Sequence, residues 1–334
     1  MLFPYCTSNG DLQPLEVPEV TIGIGVLCDG GNTAVLASDM RVTYGSSPVT
    51  PSDHAGKQYD FPPFLLAAAI AGRACVNEAV ISVMAHELNK LLVAKMEEPH
   101  KHFVSQHVRD ILDYARKQEL RKHQECAMEG ELGIGLSAWQ AGKLPNGQKM
   151  DDLALRWGLS VLRRTKENLR SQLGLIVLGF AENGIVFMRG IGAEPTEETT
   201  VPEYYVIGSG SLAAIEVLTK RKQDIYTSLA RSLLHIYEAL KAARRSQKTV
   251  GPPAPYLVIR PLNAAEPNGM WRFPAESHLL RSWSKHYRNR ADTGSLDKDL
   301  PNSQAQHLLR QHVTVSHQVL THETVKFEAL PLRH

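Results

Sequence analysis

Residues 21–41 read TIGIGVLCDGGNTAVLASDMR, which is two short apolar runs separated by turn-forming residues. The runs occupy residues 21–27 and 34–38, and the sequence DGGN lies between them. Apolar runs of this length joined by a glycine-rich turn are typical of a β-hairpin. We therefore predict a hairpin that ends at the Asp-Met-Arg of residues 39–41.

The segment before the hairpin, residues 1–20, contains Pro4, Pro14 and Pro18 and an Asn-Gly turn signal at residues 9–10. Proline lacks the backbone N–H that a helix needs, so this segment is predicted to be an extended leader. It has neither the basic start nor the continuous apolar stretch of a secretory signal peptide.

Strands and helices alternate in groups over the rest of the chain. Further strands are predicted at residues 57–61, 64–71, 173–180, 185–188, 204–207 and 256–259. Apolar residues at helical spacing predict helices at residues 76–92, 104–121, 212–222 and 227–245. This order favours an α+β fold of antiparallel sheets covered by helices. Residues 122–172 are interpreted as a surface insertion in a domain spanning 21–260, and residues 261–334 as a partly disordered C-terminal extension.

The composition excludes several classes of protein. With 43% hydrophobic and 22% charged residues, the 334-residue chain is expected to bury a core. Its four cysteines, at positions 6, 28, 75 and 126, have neither C-x-x-C nor zinc-ligand spacing, so no metal site or disulfide framework is predicted. No apolar run is long enough to span a membrane, and no glycine-rich motif indicates nucleotide binding. We expect a soluble cytoplasmic protein without metal or cofactor.

Four motifs occur in order along the chain. They are TIGIGV at 21–26 with AVLASDMR at 34–41, Lys57 followed by AIAGR at 69–73, YYVIGSGS at 204–211, and Asp224 before the last predicted helix. Together they resemble the β-type subunits of the proteasome family of N-terminal-nucleophile hydrolases, across residues 21–260 apart from the insertion. The resemblance implies a four-layer αββα sandwich, in which two antiparallel sheets lie between layers of helices.

In that family the first residue of the mature chain is the nucleophile, and the resemblance implies this role for Thr21. A threonine hydroxyl is a poor nucleophile until a base removes its proton. The implied base is the α-amino group of Thr21 itself, a type of group that titrates at roughly pKa 7.7–8.0. That amine exists only once the Val20–Thr21 bond is cut. We therefore interpret the leader as a segment that keeps Thr21 inactive until it is removed.

The resemblance also implies charged residues beside Thr21. The ammonium of Lys57 would lower the pKa of the amine and of the hydroxyl by charge repulsion and would donate hydrogen bonds. Asp39 would keep Lys57 charged, and Arg41 would brace the turn that presents Asp39.

Other site residues are implied near the ends of later strands. Ser209 and Asp224 match positions that orient the amine and its water, and Gly72 matches the position whose backbone N–H stabilises the oxyanion. Ser209 or Ser211 can also cap the helix that follows, and Asp224 can cap the next one. An apolar substrate pocket is implied by residues that match its walls: Val42, Ala55, Tyr59, Ile70 and Ala74.

The implied function is a threonine-type endopeptidase that works in a ring of like subunits on peptides or unfolded chains. One alternative is an inactive structural or gating subunit. Val20, Tyr226 and the uncut leader favour that alternative. Active members usually carry glycine at the position of Val20, and the family tends to carry serine where Tyr226 and Thr227 stand. Another alternative is an N-terminal-nucleophile amidase that acts on a small metabolite.

The C-terminal tail suggests a different kind of partner. It contains Trp271 and Trp283 among basic residues, and it carries seven of the fourteen histidines. A basic stretch with interleaved aromatic residues can bind nucleic acid or an acidic protein surface. We favour the simpler interpretation as an extension, with no nucleic acid partner.

Overall fold

The computed structural model describes residues 22–41, 57–93, 105–144, 146–180, 186–191, 203–248, 250–261 and 269–287. Within these ranges the chain is a mixed α/β structure with two antiparallel sheets, in agreement with the predicted α+β class. The predicted leader, residues 1–20, lies outside the described residues.

The described part of the chain contains nine strands and seven helices. The strands are β1 (Ile22–Cys28), β2 (Thr33–Ser38), β3 (Gln58–Phe61), β4 (Leu66–Gly72), β5 (Leu173–Phe180), β6 (Val186–Ile191), β7 (Tyr204–Gly208), β8 (Tyr256–Ile259) and β9 (Met270–Phe273). The helices are α1 (Ala74–Val93), α2 (Ser105–Leu132), α3 (Leu136–Gln140), α4 (Asp152–Gln172), α5 (Ser211–Lys220), α6 (Leu229–Ser246) and α7 (His278–Tyr287).

The first sheet has the strand order β7-β1-β2-β8-β9, and the second has the order β3-β4-β5-β6. The predicted hairpin is confirmed, since β1 and β2 pair antiparallel with Val26 opposite Val35. In its turn Gly30 and Gly31 have φ values of 67° and 84°. Such positive values are readily adopted only by glycine, which explains the two adjacent glycines.

Side chains on the two faces of β1 enter different apolar clusters. Ile22, Ile24 and Val26 pack with residues of α5 and α6 on one face. On the other face Gly23 and Gly25 leave space, and a Cβ built on Gly25 would lie 2.7 Å from Met188 Sδ of the second sheet. Alternating isoleucine and glycine therefore buries apolar surface against helices while allowing close approach of the second sheet.

Two further apolar clusters involve the second sheet. One joins Leu27 and Leu36 of the first sheet to Ala69 and Ile176 of the second. The other joins Leu66, Ala68 and Ile70 of β4 to side chains of α1 and α2, including Val76, Val80, Met84, Val108 and Leu112. Helices thus pack on the second sheet at the face that points away from the first.

Described residues after 260 pack against the domain predicted for residues 21–260. β9 pairs with β8, with Val258 opposite Trp271. Phe273, Leu280 and Trp283 lie in the same apolar cluster as α6, and Leu280 is fully buried. This part of the predicted extension therefore completes the first sheet and covers one of its helices.

The segment predicted as a surface insertion, residues 122–172, is largely helical. α2 continues to Leu132 instead of ending near residue 121, and α4 begins after Asp151, whose Oδ1 accepts a hydrogen bond from Ala154 N at 2.7 Å. These helices enclose a small apolar cluster of their own, made of Met128, Ile134, Leu136, Met150 and Val161. Gly158 permits this packing, because a Cβ there would lie 1.9 Å from Trp139 Nε1.

Candidate functional site

The carboxylate of Asp39, directly after β2, is fully buried and accepts four hydrogen bonds. Its Oδ1 accepts from the Ile22 N–H at 3.0 Å and from Lys57 Nζ at 2.9 Å. Its Oδ2 accepts from the N–H groups of Arg41 at 3.2 Å and Gly251 at 2.9 Å. Donors from four separate segments replace the water that an exposed carboxylate would bind, which makes its burial possible.

Lys57 and Asp39 form a buried ion pair, with exposed side-chain fractions of 2% and 0%. Lys57 directly precedes β3, and its carbonyl accepts from the Ile70 N–H at 3.0 Å, so the lysine belongs to the second sheet. Moving both charges out of water costs free energy that a surface ion pair does not lose. A buried pair of this kind therefore contributes little net stability. The structure thus places the two residues in direct contact, as the sequence analysis expected.

The loop before β8 completes this cluster, which the sequence did not predict. Met40 N donates to Pro252 O at 2.8 Å, and Arg41 Nη1 donates to Lys248 O at 2.8 Å. A Cβ on Gly251 would lie 2.3 Å from Arg41 Cβ, so only glycine allows this approach. The predicted bracing role of Arg41 therefore has a physical basis, a contact between the end of β2 and the loop after α6.

The segment from Gly208 to Ser211 lies at the same end of the first sheet. Gly208 has a φ of 95° and pairs with Ile22, so Ser209 follows directly after this pairing and is exposed. Gly210 is the N-cap of α5, and no side chain forms a cap hydrogen bond there. The predicted capping role of Ser209 or Ser211 is therefore wrong, and Ser211 is the first residue of the helix.

Gly72 ends β4 at the same end of the second sheet, two residues beyond Ile70 and its bond to Lys57. Its φ of 97° lies in the region that side-chain-bearing residues rarely adopt. The sequence identified this glycine but missed Asn77, a fully buried residue whose side chain bonds to both sides of the Gly72 turn.

Asp224 does not join the cluster, which corrects the sequence prediction. Its Oδ1 accepts from Thr227 Oγ1 at 2.8 Å, and the next residue, Ile225, accepts from the Gly30 N–H at 2.8 Å. Gly30 lies in the turn beyond the far end of β1, and the seven residues of β1 span about 20 Å. Asp224 is thus held in the turn before α6, at the opposite end of β1 from Ile22, and Tyr226 and Thr227 lie in that same turn.

The structure brings two of the predicted pocket residues together. Tyr59 is half-buried and Ile70 is 4% exposed, and both lie in the apolar cluster between β4 and α1. Burial, and then the nearby charge of Glu78, raise the pKa of Tyr59 to about 12. Ala74 is the first residue of α1. Thr21, Val42 and Ala55 lie outside the described residues.

The chain matches no protein-family model. No curated protein matches its sequence either. In the ranges that the structure describes, no group of three or more His, Cys, Asp or Glu side chains could hold a metal ion. Within the same ranges, no helix combines the length and apolar character that crossing a membrane requires.

Proposed function

We propose that this chain is a threonine-type amide hydrolase of the proteasome family, with Thr21 as its nucleophile once residues 1–20 are removed. The observation that carries the proposal is the sharing of Asp39 Oδ1 by the Ile22 N–H and by Lys57 Nζ, both within 3.0 Å. Ile22 N is the atom to which Thr21 is covalently bonded. A buried ammonium is therefore held beside the attachment point of the proposed nucleophile.

Each step of the proposed reaction has a named group. The free α-amine of Thr21 takes the hydroxyl proton, and the hydroxyl oxygen attacks the substrate carbonyl carbon. The tetrahedral intermediate collapses to an ester when the C–N bond breaks, and the departing amine takes the proton held by the α-amine. Water then attacks the ester, again with the α-amine as base, which restores Thr21 and releases the acid.

Two groups would stabilise the charge that develops in this reaction. Lys57 supplies a fixed positive charge, which Asp39 balances in the resting state. The N–H of Gly72 is the proposed donor to the oxyanion, a contribution that is large because the negative charge exists only near the transition state. Ser209, exposed and next to the residue that pairs with Ile22, is the proposed group that orients the amine.

For the whole subunit we propose the αββα layer order of the N-terminal-nucleophile hydrolases. Three apolar clusters support it, because they join α5 and α6 to the first sheet, the first sheet to the second, and the second sheet to α1 and α2. We also propose that the chain acts in the cytoplasm, in a ring of like subunits, on peptides or unfolded chains.

The alternative function is an inactive structural or gating subunit. Val20 supports it, since active members of the family carry glycine before the nucleophile. Tyr226 and Thr227 do not support it, because both residues lie in the turn at the far end of β1.

The intact mass of the purified protein tests the proposal. We expect the loss of residues 1–20, with Thr21 first, together with hydrolysis of unstructured peptides. Thr21→Ala should abolish both, whereas Thr165→Ala, which removes a hydroxyl that bonds to Val161 O in α4, should keep both. A protein with Thr21 exposed by an external protease that still cleaves no amide would favour the inactive alternative.

A further inference from the structure

The side-chain amide of Asn77 clamps the turn that contains Gly72. Asn77 lies in the first turn of α1 and is fully buried. Its Nδ2 lies 3.0 Å from both Ala71 O and Arg73 O and 3.2 Å from Gln172 O. Its Oδ1 accepts from the Gly174 N–H at 3.1 Å. One side chain therefore connects the end of β4, the start of α1 and the start of β5.

This clamp determines the direction of the Gly72 N–H. A trans peptide is planar, so its carbonyl oxygen and its N–H point in opposite directions. The carbonyl of Ala71 and the N–H of Gly72 belong to the same peptide. When Asn77 holds the Ala71 oxygen towards itself, the Gly72 N–H must point away from Asn77.

The clamp is needed because glycine has the largest backbone freedom of any residue. Gly72 adopts a φ of 97°, and without fixed neighbours its peptide could rotate among several conformations. Gly174 allows β5 to approach this peptide closely, since a Cβ there would lie only 2.6 Å from Ala71 O. A buried amide whose donor and acceptor are both bonded is a rigid support for such a turn.

We propose that Asn77 is a positioning residue that aims the Gly72 N–H at the oxyanion. The proposal rests on the amide hydrolysis proposed above and extends it to a residue outside the family resemblance. Asn77 does not touch the substrate, and it acts through the peptide between Ala71 and Gly72.

Kinetics of Asn77→Ala in the mature protein test this role. We expect kcat to fall by about 10- to 100-fold with KM nearly unchanged, because the oxyanion contact forms only on the way to the transition state. Val80→Ala is the matched control, because it truncates another buried side chain of α1 that makes no bond to the turn. An equal loss of kcat in both variants would overturn the role of Asn77.

Asn77→Asp gives a second readout through pH. Aspartate keeps the acceptor for the Gly174 N–H, but its ionised form presents a carboxylate to the carbonyl oxygens of Ala71 and Arg73. Protonation restores one donor, so the ratio of variant to wild-type kcat should rise as the pH falls. A ratio that is independent of pH would contradict the donor role of the Asn77 amide.

Hydrogen exchange separates this inference from the proposed function. The amides of Gly174, which donates to Asn77 Oδ1, and of Arg73, which donates to Gln172 O in the clamped turn, should exchange faster in Asn77→Ala than in Val80→Ala. Unchanged exchange overturns the positioning role by itself. A wild-type protein with Thr21 first that cleaves no peptide overturns the hydrolase and the aiming of the N–H together. An active wild type with an unchanged kcat in Asn77→Ala overturns only the role of Asn77.

Discussion

Asp39 draws its hydrogen-bond donors from β1, from the end of β2, from the start of β3 and from the loop before β8. Such a carboxylate tolerates burial only while its donors remain in place. Its surroundings are thus more sensitive to single substitutions than an apolar core position of similar size.

Replacing Lys57 by methionine should leave Asp39 as an uncompensated buried charge. We expect the free energy of unfolding to fall by about 3–5 kcal/mol, and peptide hydrolysis to be lost. Urea titration followed by circular dichroism measures the first effect. The double variant Asp39→Asn, Lys57→Met removes the unpaired charge but leaves one oxygen for the backbone donors, so it should recover only part of the stability and none of the activity. A loss of less than about 1 kcal/mol for Lys57→Met would contradict a buried pair.

His235, fully buried on α6, should make stability depend on acid. Burial first, and then the charges of Arg231 and Arg221, lower the pKa of His235 to about 3 from 6.5. As the pH falls from about 6.5 to about 3, the imidazole of His235 therefore binds a proton in the unfolded chain but not in the folded chain. Stability is fully present above the unfolded pKa and falls by up to about 1.4 kcal/mol per pH unit across this window.

Unfolding titrations between pH 7 and pH 4 measure this slope. His235 Nδ1 lies 2.8 Å from Gln223 Oε1, and His235→Asn keeps a group that can donate to that oxygen. The variant should be less sensitive to acid than the wild type, and an equal slope in both proteins would exclude His235 as the source.

Among the connecting elements, the loop between α6 and β8 is the one that the candidate site depends on. Gly251→Ala should displace Arg41 and the end of β2, because the new Cβ would lie 2.8 Å from Arg41 N. We expect a loss of about 1–3 kcal/mol of stability, typical of overpacking, together with reduced hydrolysis. Gly130→Ala is the control, since a Cβ there meets no atom within 4 Å, and in helix α2 it should raise stability by about 0.5–1 kcal/mol.

Local motifs predicted the elements around the site better than the contacts between them. The hairpin follows from a strong local strand pattern, whereas the pairing of Asp39 with Lys57, 18 positions later, was implied only by the family resemblance. Gly251 acts on Asp39 from 212 residues away, and no local pattern marks its N–H as a partner. The error at Asp224 has the same cause. The local sequence of an aspartate before a helix does not show at which end of β1 that aspartate lies.

The C-terminal elements were missed for a different reason. β9 has only four residues, and one of them is Arg272, which pairs with Asp60. α7 does carry apolar residues at helical spacing, with Leu280, Trp283 and Tyr287 on its buried face. The basic residues between them favoured the interpretation as a tail. Sequence alone does not show that one face of α6 is apolar and must be buried by another element.

At the scale of the whole molecule, residues 269–287 should unfold together with the rest of the domain. Leu280→Ala is expected to cost about 2–5 kcal/mol, as truncation of a fully buried leucine does, and the unfolding transition should remain single. Leu279→Ala, at a partly buried neighbouring position, should cost less. Thermal and urea unfolding check both variants, and a second transition for Leu280→Ala would indicate that α7 is a separate unit.

The hydrogen bond from the Gly251 N–H to Asp39 also determines when the candidate site can form during synthesis of the chain. The two residues are 212 positions apart, and a ribosome that adds about 5–20 residues per second needs roughly 10–40 s between them. A nascent chain that already contains Thr21, Asp39 and Lys57 therefore lacks the full donor set of the carboxylate. The donors around Asp39 are therefore complete only after almost the entire domain has been made, and under the proposed function an incomplete chain would lack its full site.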